Sequence, residues 1–180
     1  ILNRTERENG KCYLEFGFLD EQLLSRIGIN CDRLGPRLVA FVWDETSSLE
    51  IGGYLVVDNL AMGSPSMGGI RMQPAIAPAN IHNLARGMTL KNAAADLPYG
   101  GGKAGIVDKL DTTPEEHREI VRRFARLVRR YRHMYVPGPD VGTKWEWTTV
   151  SQVYSITTLG SFREDAPGVP VFGAPPGGFV

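Results

Sequence analysis

Short apolar runs alternate with longer segments of helical spacing along this chain. The runs that predict strands lie at residues 38–43, 52–57, 68–72, 106–107 and 135–136. The polar stretch at residues 44–48 indicates a hairpin between the first two strands. Helices are predicted at residues 20–27, from a cap at Asn80 to about Pro98, from a cap at Thr113 to about Tyr131, and at residues 143–159. This alternation predicts an α/β sheet covered by helices.

The helix that begins near Asn80 carries two polar residues at its apolar stripe. At about 100° per residue, Asn92 falls in the middle of the stripe and Lys91 lies on its edge. Asn92 is expected to find structural hydrogen-bond partners. A buried ammonium needs a partner, so Lys91 either extends to water or meets an anionic group of a ligand. The local pattern leaves both interpretations open.

A glycine-rich loop follows this helix. Gly100, Gly102 and Gly105 match the letters of the dinucleotide-binding fingerprint, but that motif has to follow a strand and open a helix. Here the loop follows a helix and opens a strand, which argues against a nucleotide site. Lys103, held among the glycines, is either a solvated residue of a flexible loop or a partly buried amine. Burial would lower its pKa from about 10.4 and make it an acid or base at neutral pH.

Asp140 lies in a stiff loop of sequence PGPDVG, which begins at Pro137. An aspartate in such a loop either caps the helix that follows or directs its carboxylate at the amine of a ligand. The local sequence does not decide between these two interpretations.

Composition narrows the class of protein. Twenty Lys and Arg residues balance twenty Asp and Glu residues, so charge gives no reason to expect nucleic acid or an anionic membrane as a partner. No apolar run approaches the roughly 18 residues of a membrane span. The three histidines lack metal-ligand spacing and the two cysteines form no CxxC pair, so no metal is expected. Without a signal-peptide pattern, a cytoplasmic location is expected.

Four segments together resemble a known family. They are GGIRM from Gly68, LARGMTLKNA from Leu84, LPYGGGKAGI from Leu97 and VPGPDVGT from Val136. In this order and at this spacing they closely resemble the N-terminal domain of the glutamate/leucine/phenylalanine/valine dehydrogenase family. The resemblance implies a three-layer α/β domain with a mixed, mainly parallel sheet covered by helices. Residues 1–166 would form this substrate-binding and oligomerisation domain, and residues 167–180 a Pro/Gly-rich tail or linker.

The resemblance also implies roles for individual residues. Lys91 would bind the α-carboxylate of the substrate, Lys103 would be the catalytic amine, and Asp140 would take part in proton transfer at the substrate amine. The reaction would be the reversible oxidative deamination of an L-amino acid to a 2-oxo acid and ammonia, with hydride passing to NAD or NADP.

Met67, Gly68 and Gly69 are implied to contact the substrate. Glutamate-specific members of the family carry a lysine at the position of Met67, where it pairs with the second carboxylate of the substrate. A thioether offers no countercharge to that carboxylate. We therefore expect an aliphatic or aromatic substrate instead of glutamate.

The family holds its cofactor in a separate Rossmann domain, which these 180 residues do not supply. The complete enzyme is expected to use NAD or NADP, whereas this chain alone is expected to bind no cofactor and to be inactive. Its expected partners are a small amino acid or 2-oxo acid and further copies of itself. The alternative is a non-catalytic, stand-alone amino-acid-binding or assembly module derived from the family. Retention of Lys91, Lys103 and Asp140 favours the enzyme, and the irregular C-terminal tail favours the module.

Overall fold

The computed structural model describes residues 4–143 and 146–154. These residues form seven strands: β1 (Arg4–Glu8), β2 (Lys11–Phe16), β3 (Leu38–Asp44), β4 (Ile51–Val57), β5 (Ser66–Gln73), β6 (Gly102–Val107) and β7 (Tyr135–Gly138). They also form the helices α1 (Glu21–Arg26), α2 (Pro78–Ala94), α3 (Pro114–Val128) and α4 (Trp147–Tyr154), with short 3-10 turns at Phe18–Asp20 and Arg129–Tyr131. The five strands and four helices expected from the hydrophobic pattern are thus present, with shifted ends.

All seven strands join one mixed sheet in the order β1-β2-β3-β4-β6-β5-β7. The α/β class and the mixed sheet are confirmed, but the expected mainly parallel pairing is corrected. The first four neighbouring pairs, from β1–β2 to β4–β6, are antiparallel. Only β5 pairs in parallel, with β6 on one side and β7 on the other. Tight turns such as that between β1 and β2 produce antiparallel pairs, whereas a parallel pair needs a crossover such as α2.

Helices cover both faces of the sheet and give the expected three layers. On one face, α3 and α4 bury a cluster that includes Leu55, Ile106 and Phe124. On the other face, α1 and α2 pack over Val56 through Leu24 and other apolar residues. Leu55 and Val56 are neighbours on β4 and enter opposite cores, as the alternation of a strand requires. Each face of the sheet therefore has its own core.

The β1–β2 hairpin is absent from the pattern-based prediction. Strand β1 has the sequence RTERE, which carries no apolar alternation because the strand lies at the edge of the sheet. The available signal was the dipeptide Asn9-Gly10 at the turn. Its φ angles of 48° and 71° are those of a two-residue hairpin turn, which favours this pair of residues.

The ends of several elements differ from their predicted positions. Helix α2 begins at Pro78, and the Asn80 side chain instead accepts a hydrogen bond from the backbone N–H of Ala77 at 3.0 Å. Helix α3 begins as predicted, because Thr113 Oγ1 accepts from the backbone N–H of Glu116 at 3.3 Å. Helix α4 occupies part of the range predicted as helix at 143–159; the remainder of that range beyond residue 154 and the tail at 167–180 lie outside the described residues.

The arginines on and just after α3 are engaged by acidic side chains of the same domain. Arg123 Nε donates to Glu119 at 2.7 Å and its Nη1 to Asp44 at 3.2 Å. Arg130 forms an ion pair with Glu6. Arg123 and Arg130 are thus partly neutralised within the domain. Among the described residues, no helix combines the length and the hydropathy of a bilayer span.

Candidate functional site

The candidate site forms where β5, β6 and β7 lie side by side. Lys103 is in β6, which begins at Gly102, so it belongs to a strand and not to a loop as predicted. It lies two residues before Gly105, whose missing side chain leaves room for Ile81 of α2 at 2.4 Å from an ideal Cβ position. Side chains two apart share a face of a strand, so Lys103 is held on the α2 side of the sheet.

The Lys103 side chain is buried and contacts a carboxylate. Only 6% of the residue is exposed, which excludes the interpretation as a solvated lysine on a flexible loop. Its Nζ lies 2.5 Å from Oδ2 of Asp140. Burial lowers the pKa of Lys103, aided by the charges of Arg71 and Lys91, and the attraction of Asp140 opposes this without reversing it. Of the two interpretations that the sequence left open for Lys103, the structure has the buried amine.

Asp140 follows β7 and points its carboxylate into the domain. Besides Lys103, it meets Arg71 of β5, whose Nε donates to Oδ2 at 3.1 Å and whose Nη2 donates to Oδ1 at 3.4 Å. Burial acts to raise the pKa of Asp140, but the charge of Lys103 and the hydrogen bonds from Arg71 and Lys103 outweigh it, and the pKa is lowered. The carboxylate of Asp140 thus pairs with Lys103 and Arg71 and does not cap a helix.

Close backbone contacts explain the glycines on the floor of the site. A Cβ at Gly68 would lie 1.7 Å from the carbonyl oxygen of Gly102, and one at Gly69 would lie 2.7 Å from Cβ of Asp140. The buried Tyr135 hydroxyl donates to the carbonyl oxygens of Gly68 at 2.8 Å and Gly69 at 3.2 Å. Gly68 and Gly69 therefore let β5 approach its neighbours closely, which fixes the distance from Arg71 to Asp140.

Lys91 and Asn92 have different environments on α2. Asn92 is 2% exposed and its Nδ2 donates to the carbonyl oxygen of Gly100 at 3.0 Å, so its expected structural role is confirmed. Lys91 is exposed, yet its charge is near enough to lower the pKa of Lys103. Met67 is half-buried at the start of β5, directly before Gly68. The structure thus brings Lys103 and Asp140 into contact, with Lys91 at the rim.

Three contributors to the site were missed by the sequence reasoning. As described above, Arg71 donates to Asp140 and the Tyr135 hydroxyl donates to the β5 backbone. Thr143 Oγ1 donates to the carbonyl oxygen of Ile70 at 2.5 Å. The available signal for Arg71 was a cation within the otherwise apolar strand pattern of residues 68–72. Tyr135 and Thr143 had no comparable local signal, because their partners are more than 60 residues away.

A charged clamp holds α2 on the sheet. Arg86 donates to both oxygens of the fully buried Asp58, at 2.8 and 3.1 Å, and to both oxygens of Asp32, at 2.8 and 2.9 Å. Thr89 Oγ1 donates to Oδ2 of Asp58 at 2.6 Å. The hydrogen bonds from Arg86 lower the pKa of Asp32 to about 2. This clamp fixes the helix that carries Lys91.

The glycine loop does not fit a dinucleotide. A Cβ at Gly100 would lie 1.7 Å from the carbonyl oxygen of Asn59, and one at Gly101 would lie 2.1 Å from the backbone nitrogen of Thr89. The carbonyl oxygen of Gly100 also accepts from the backbone N–H of Met67 at 2.8 Å. The loop backbone is therefore in contact with its own domain, which agrees with rejecting the nucleotide fingerprint.

Groups of metal-ligating side chains and clefts are the other features of the fold that could hold a ligand. No group of three His, Cys, Asp or Glu side chains within residues 4–143 and 146–154 is arranged to hold a metal ion. A cleft of about 300 Å³ lies at the far side of the sheet, between the end of β2 and the turn after α3, and is lined by residues that include Glu15, Arg37 and Arg130. It contains none of the predicted site residues.

Comparison with known families gives one match that covers most of the described chain. The family model described as "Glu/Leu/Phe/Val dehydrogenase, dimerisation domain" matches residues 39–152. These residues include all four segments on which the resemblance was based.

Comparison with individual proteins gives similar results. The NADP(+)-dependent glutamate dehydrogenase of Pyrobaculum calidifontis is 44% identical over 94 residues, which are 51% of this chain and 22% of the relative. The valine dehydrogenase of Streptomyces albus is 37% identical over 116 residues, 62% of this chain and 30% of the relative. The crystal structure of L-tryptophan dehydrogenase from Nostoc punctiforme matches with a TM-score of 0.60 and 29% identity, over 78% of this chain and 42% of that one. The chain thus spans less than a third of the length of the two curated relatives.

Proposed function

Since the chain belongs to the Glu/Leu/Phe/Val dehydrogenase family, we propose that it forms the substrate-binding and oligomerisation domain of an NAD(P)-dependent amino-acid dehydrogenase. That domain covers residues 1–166, with a linker at residues 167–180. The reaction is the reversible oxidative deamination of an L-amino acid to a 2-oxo acid and ammonia. The observation that carries the proposal is the buried contact between Lys103 and Asp140.

The charges of the site suit an anionic substrate. Lys91, Lys103 and Arg71 are cations and Asp140 is the carboxylate among them, so the cluster has a surplus of positive charge. Such a surplus attracts a carboxylate from solution and favours its binding. Lys91 is exposed at the rim of this cluster, where it binds the α-carboxylate of the incoming substrate.

Lys103 and Asp140 supply the proton-transfer groups. Burial lowers the pKa of Lys103, so a larger share of its amine is neutral near pH 7 than in water, and the neutral form accepts a proton. Asp140 stays ionised because its pKa is lowered. Its carboxylate holds the ammonium of the substrate and accepts a proton from it as the C–N bond changes. These are general acid–base roles, and the 2.5 Å contact between Lys103 and Asp140 places both groups within reach of one bound substrate.

Met67 supports an aliphatic or aromatic substrate. It is half-buried beside Gly68 and Gly69, and its uncharged thioether contributes no countercharge to a second carboxylate. Transferring an ionised group next to such a side chain costs free energy unless the group is paired. Relatives of this chain include glutamate and valine dehydrogenases, so the preference needs a direct test.

The hydride acceptor is proposed to lie outside the described residues. The glycine loop packs against Asn59 and Thr89, so this loop leaves no space for a pyrophosphate. The match to a dimerisation domain supports further copies of the chain as the partner.

Isothermal titration calorimetry with a branched-chain 2-oxo acid tests the carboxylate role. Lys91→Ala is expected to weaken binding by about tenfold or more, because a hydrogen bond to a charged group contributes about 1.5–3 kcal/mol. Lys109→Ala is the matched control, since Lys109 lies just after the end of β6 and pairs with Glu50. Equal affinities for all three proteins would contradict the role of Lys91.

The same assay tests the substrate class. Met67→Lys is expected to strengthen binding of 2-oxoglutarate relative to the branched-chain acid, because the new ammonium pairs with the second carboxylate. A wild-type protein that already prefers 2-oxoglutarate would overturn the aliphatic or aromatic assignment.

A further inference from the structure

Arg71 holds the carboxylate of Asp140 at two points. Its Nε donates to Oδ2 at 3.1 Å and its Nη2 to Oδ1 at 3.4 Å, so both oxygens of Asp140 have a partner on the same guanidinium. Oδ2 is also the atom that lies 2.5 Å from Nζ of Lys103. One carboxylate oxygen is therefore shared by a cation that can lose its proton and a cation that cannot, because an arginine stays charged at any pH that a folded protein tolerates.

Arg71 changes where the proton of Lys103 goes when Lys103 becomes neutral. In an isolated, buried lysine–aspartate pair, desolvation favours moving the proton from the ammonium to the carboxylate, which leaves two neutral groups. Asp140 would then lose the charge with which it can accept a proton from a substrate. With Arg71 in place, the carboxylate of Asp140 still has a cation beside it after Lys103 has lost its positive charge.

We propose that Arg71 is a positioning residue that keeps Asp140 ionised and aimed at Lys103 when Lys103 gives up its proton, so that this proton passes to the substrate or to solvent water and not to Asp140. This inference rests on the proposed role of Lys103 as the amine that exchanges a proton. Arg71 itself acts through Asp140 and transfers no proton. The geometry of its backbone supports the role, because β5 pairs in parallel with β6 and places Arg71 opposite Gly105, two residues from Lys103.

Among the described residues, the charged groups that act on the titration of Lys103 are Asp140 in the loop after β7, Arg71 on β5 and Lys91 on α2. The charge of Asp140 also acts on Tyr135 of β7. Arg71 repels the ammonium of Lys103 and so helps to lower its pKa. It also donates hydrogen bonds to Asp140 and so helps to lower the pKa of that carboxyl. Removing Arg71 should therefore move both titrations to higher pH.

Carbon-13 NMR of the whole chain measures both titrations directly. The Cε signal of Lys103 is assigned from its loss in Lys103→Met, and the Cγ signal of Asp140 from its loss in Asp140→Asn. Both are followed against pH in the wild type, Arg71→Gln, Arg71→Lys and Arg123→Gln. Arg123 is the matched control, because it is likewise ion-paired, with Asp44 and Glu119, but lies on α3, on the opposite face of the sheet.

Arg71→Gln is expected to shift both midpoints upward, while Arg123→Gln leaves them where they are in the wild type. Arg71→Lys keeps a cation but loses the two-point contact, so Lys103 should titrate near its wild-type midpoint while the midpoint of Asp140 still rises. A residue that only packs β5 would give the same change with glutamine and lysine. If Arg71→Gln does not fold, an unchanged Asp140 midpoint in Arg71→Lys overturns the inference.

The results separate this inference from the proposed function. A wild-type Lys103 that titrates below the ordinary lysine pKa of 10.5, with no shift in Arg71→Gln, overturns the role of Arg71 and leaves the proposed function in place. A wild-type Lys103 that titrates at that ordinary value overturns the proposed function, and the inference with it. A low midpoint that rises in Arg71→Gln supports both.

Discussion

Removing Arg86 tests how α2 is held on the sheet. In Arg86→Ala, the fully buried carboxylate of Asp58 loses two hydrogen bonds, of 2.8 and 3.1 Å, and keeps only the one from Thr89 Oγ1 at 2.6 Å. His82 lies 3.8 Å from Asp58, but burial lowers its pKa and so disfavours the charged form that could replace Arg86. A buried charge left without its partner costs about 3–5 kcal/mol. We expect this loss in the free energy of unfolding.

The other end of the same arginine provides the control. Asp32 has a side chain that is 50% exposed, so Asp32→Ala is expected to cost at most about 1 kcal/mol, despite equally short hydrogen bonds. Urea denaturation followed by circular dichroism measures both losses. In thermal unfolding, Arg86→Ala should lower the midpoint by roughly 6–20 °C, at about 2–4 °C per kcal/mol.

A double variant completes the test. The double variant Arg86→Ala/Asp58→Ala should lose less free energy of unfolding than the sum of the single variants, because it leaves no buried Asp58 carboxylate without its arginine. Equal losses for Arg86→Ala and Asp32→Ala would refute the reasoning, since burial of the partner would then not decide the cost. Strict additivity in the double variant would refute it as well.

Two further predictions concern the site and its helix. Gly69→Ala should destabilise the protein by about 1–3 kcal/mol and shift the NMR signals of Asp140, because the new Cβ would lie 2.7 Å from Cβ of Asp140. Gly87 is in α2 and has nothing within 4 Å of its ideal Cβ, so Gly87→Ala should stabilise the protein by about 0.5–1 kcal/mol. Urea denaturation compares the two, and a stable Gly69→Ala would contradict the close packing. Because the pKa of Lys103 is lowered in the folded state, the unfolded state binds more protons between that pKa and 10.5, and stability contributed by this group should rise with pH across that window. The rise should be smaller in Lys103→Gln, and an identical pH profile would show that Lys103 titrates alike in both states.

Local sequence was sufficient where a short-range signal was strong. Helix α3 was predicted because Thr113 and Glu116 satisfy each other's backbone N–H groups within a single turn. The burial of Asn92 followed from its position in the apolar stripe of α2. In each case the residues that decide the structure lie within a few positions of one another.

The remaining features depend on distant contacts. Lys103 was assigned to a loop, because the glycines around it hide the alternation of a strand. The strand is defined by its pairing with β4 and β5, which are distant in sequence. Arg71 and Asp140 are 69 residues apart, and no local pattern links them. Three of the four antiparallel pairs join strands that follow one another along the chain. The fourth brings β4 beside β6 and not beside β5, and no local pattern indicates that pairing.

The close backbone contacts under the site limit how its selectivity can evolve. Ideal Cβ atoms at Gly68, Gly69 and Gly102 would come within 2.7 Å of neighbouring atoms, so these positions cannot vary without moving a strand. Under the proposed function, a change of preferred amino acid has to use other side chains, such as Met67 and Met88, whose Cγ lies 3.1 Å from an ideal Cβ at Gly68. The part of the site proposed to select the substrate is thereby separated from the part that aligns Lys103 with Asp140.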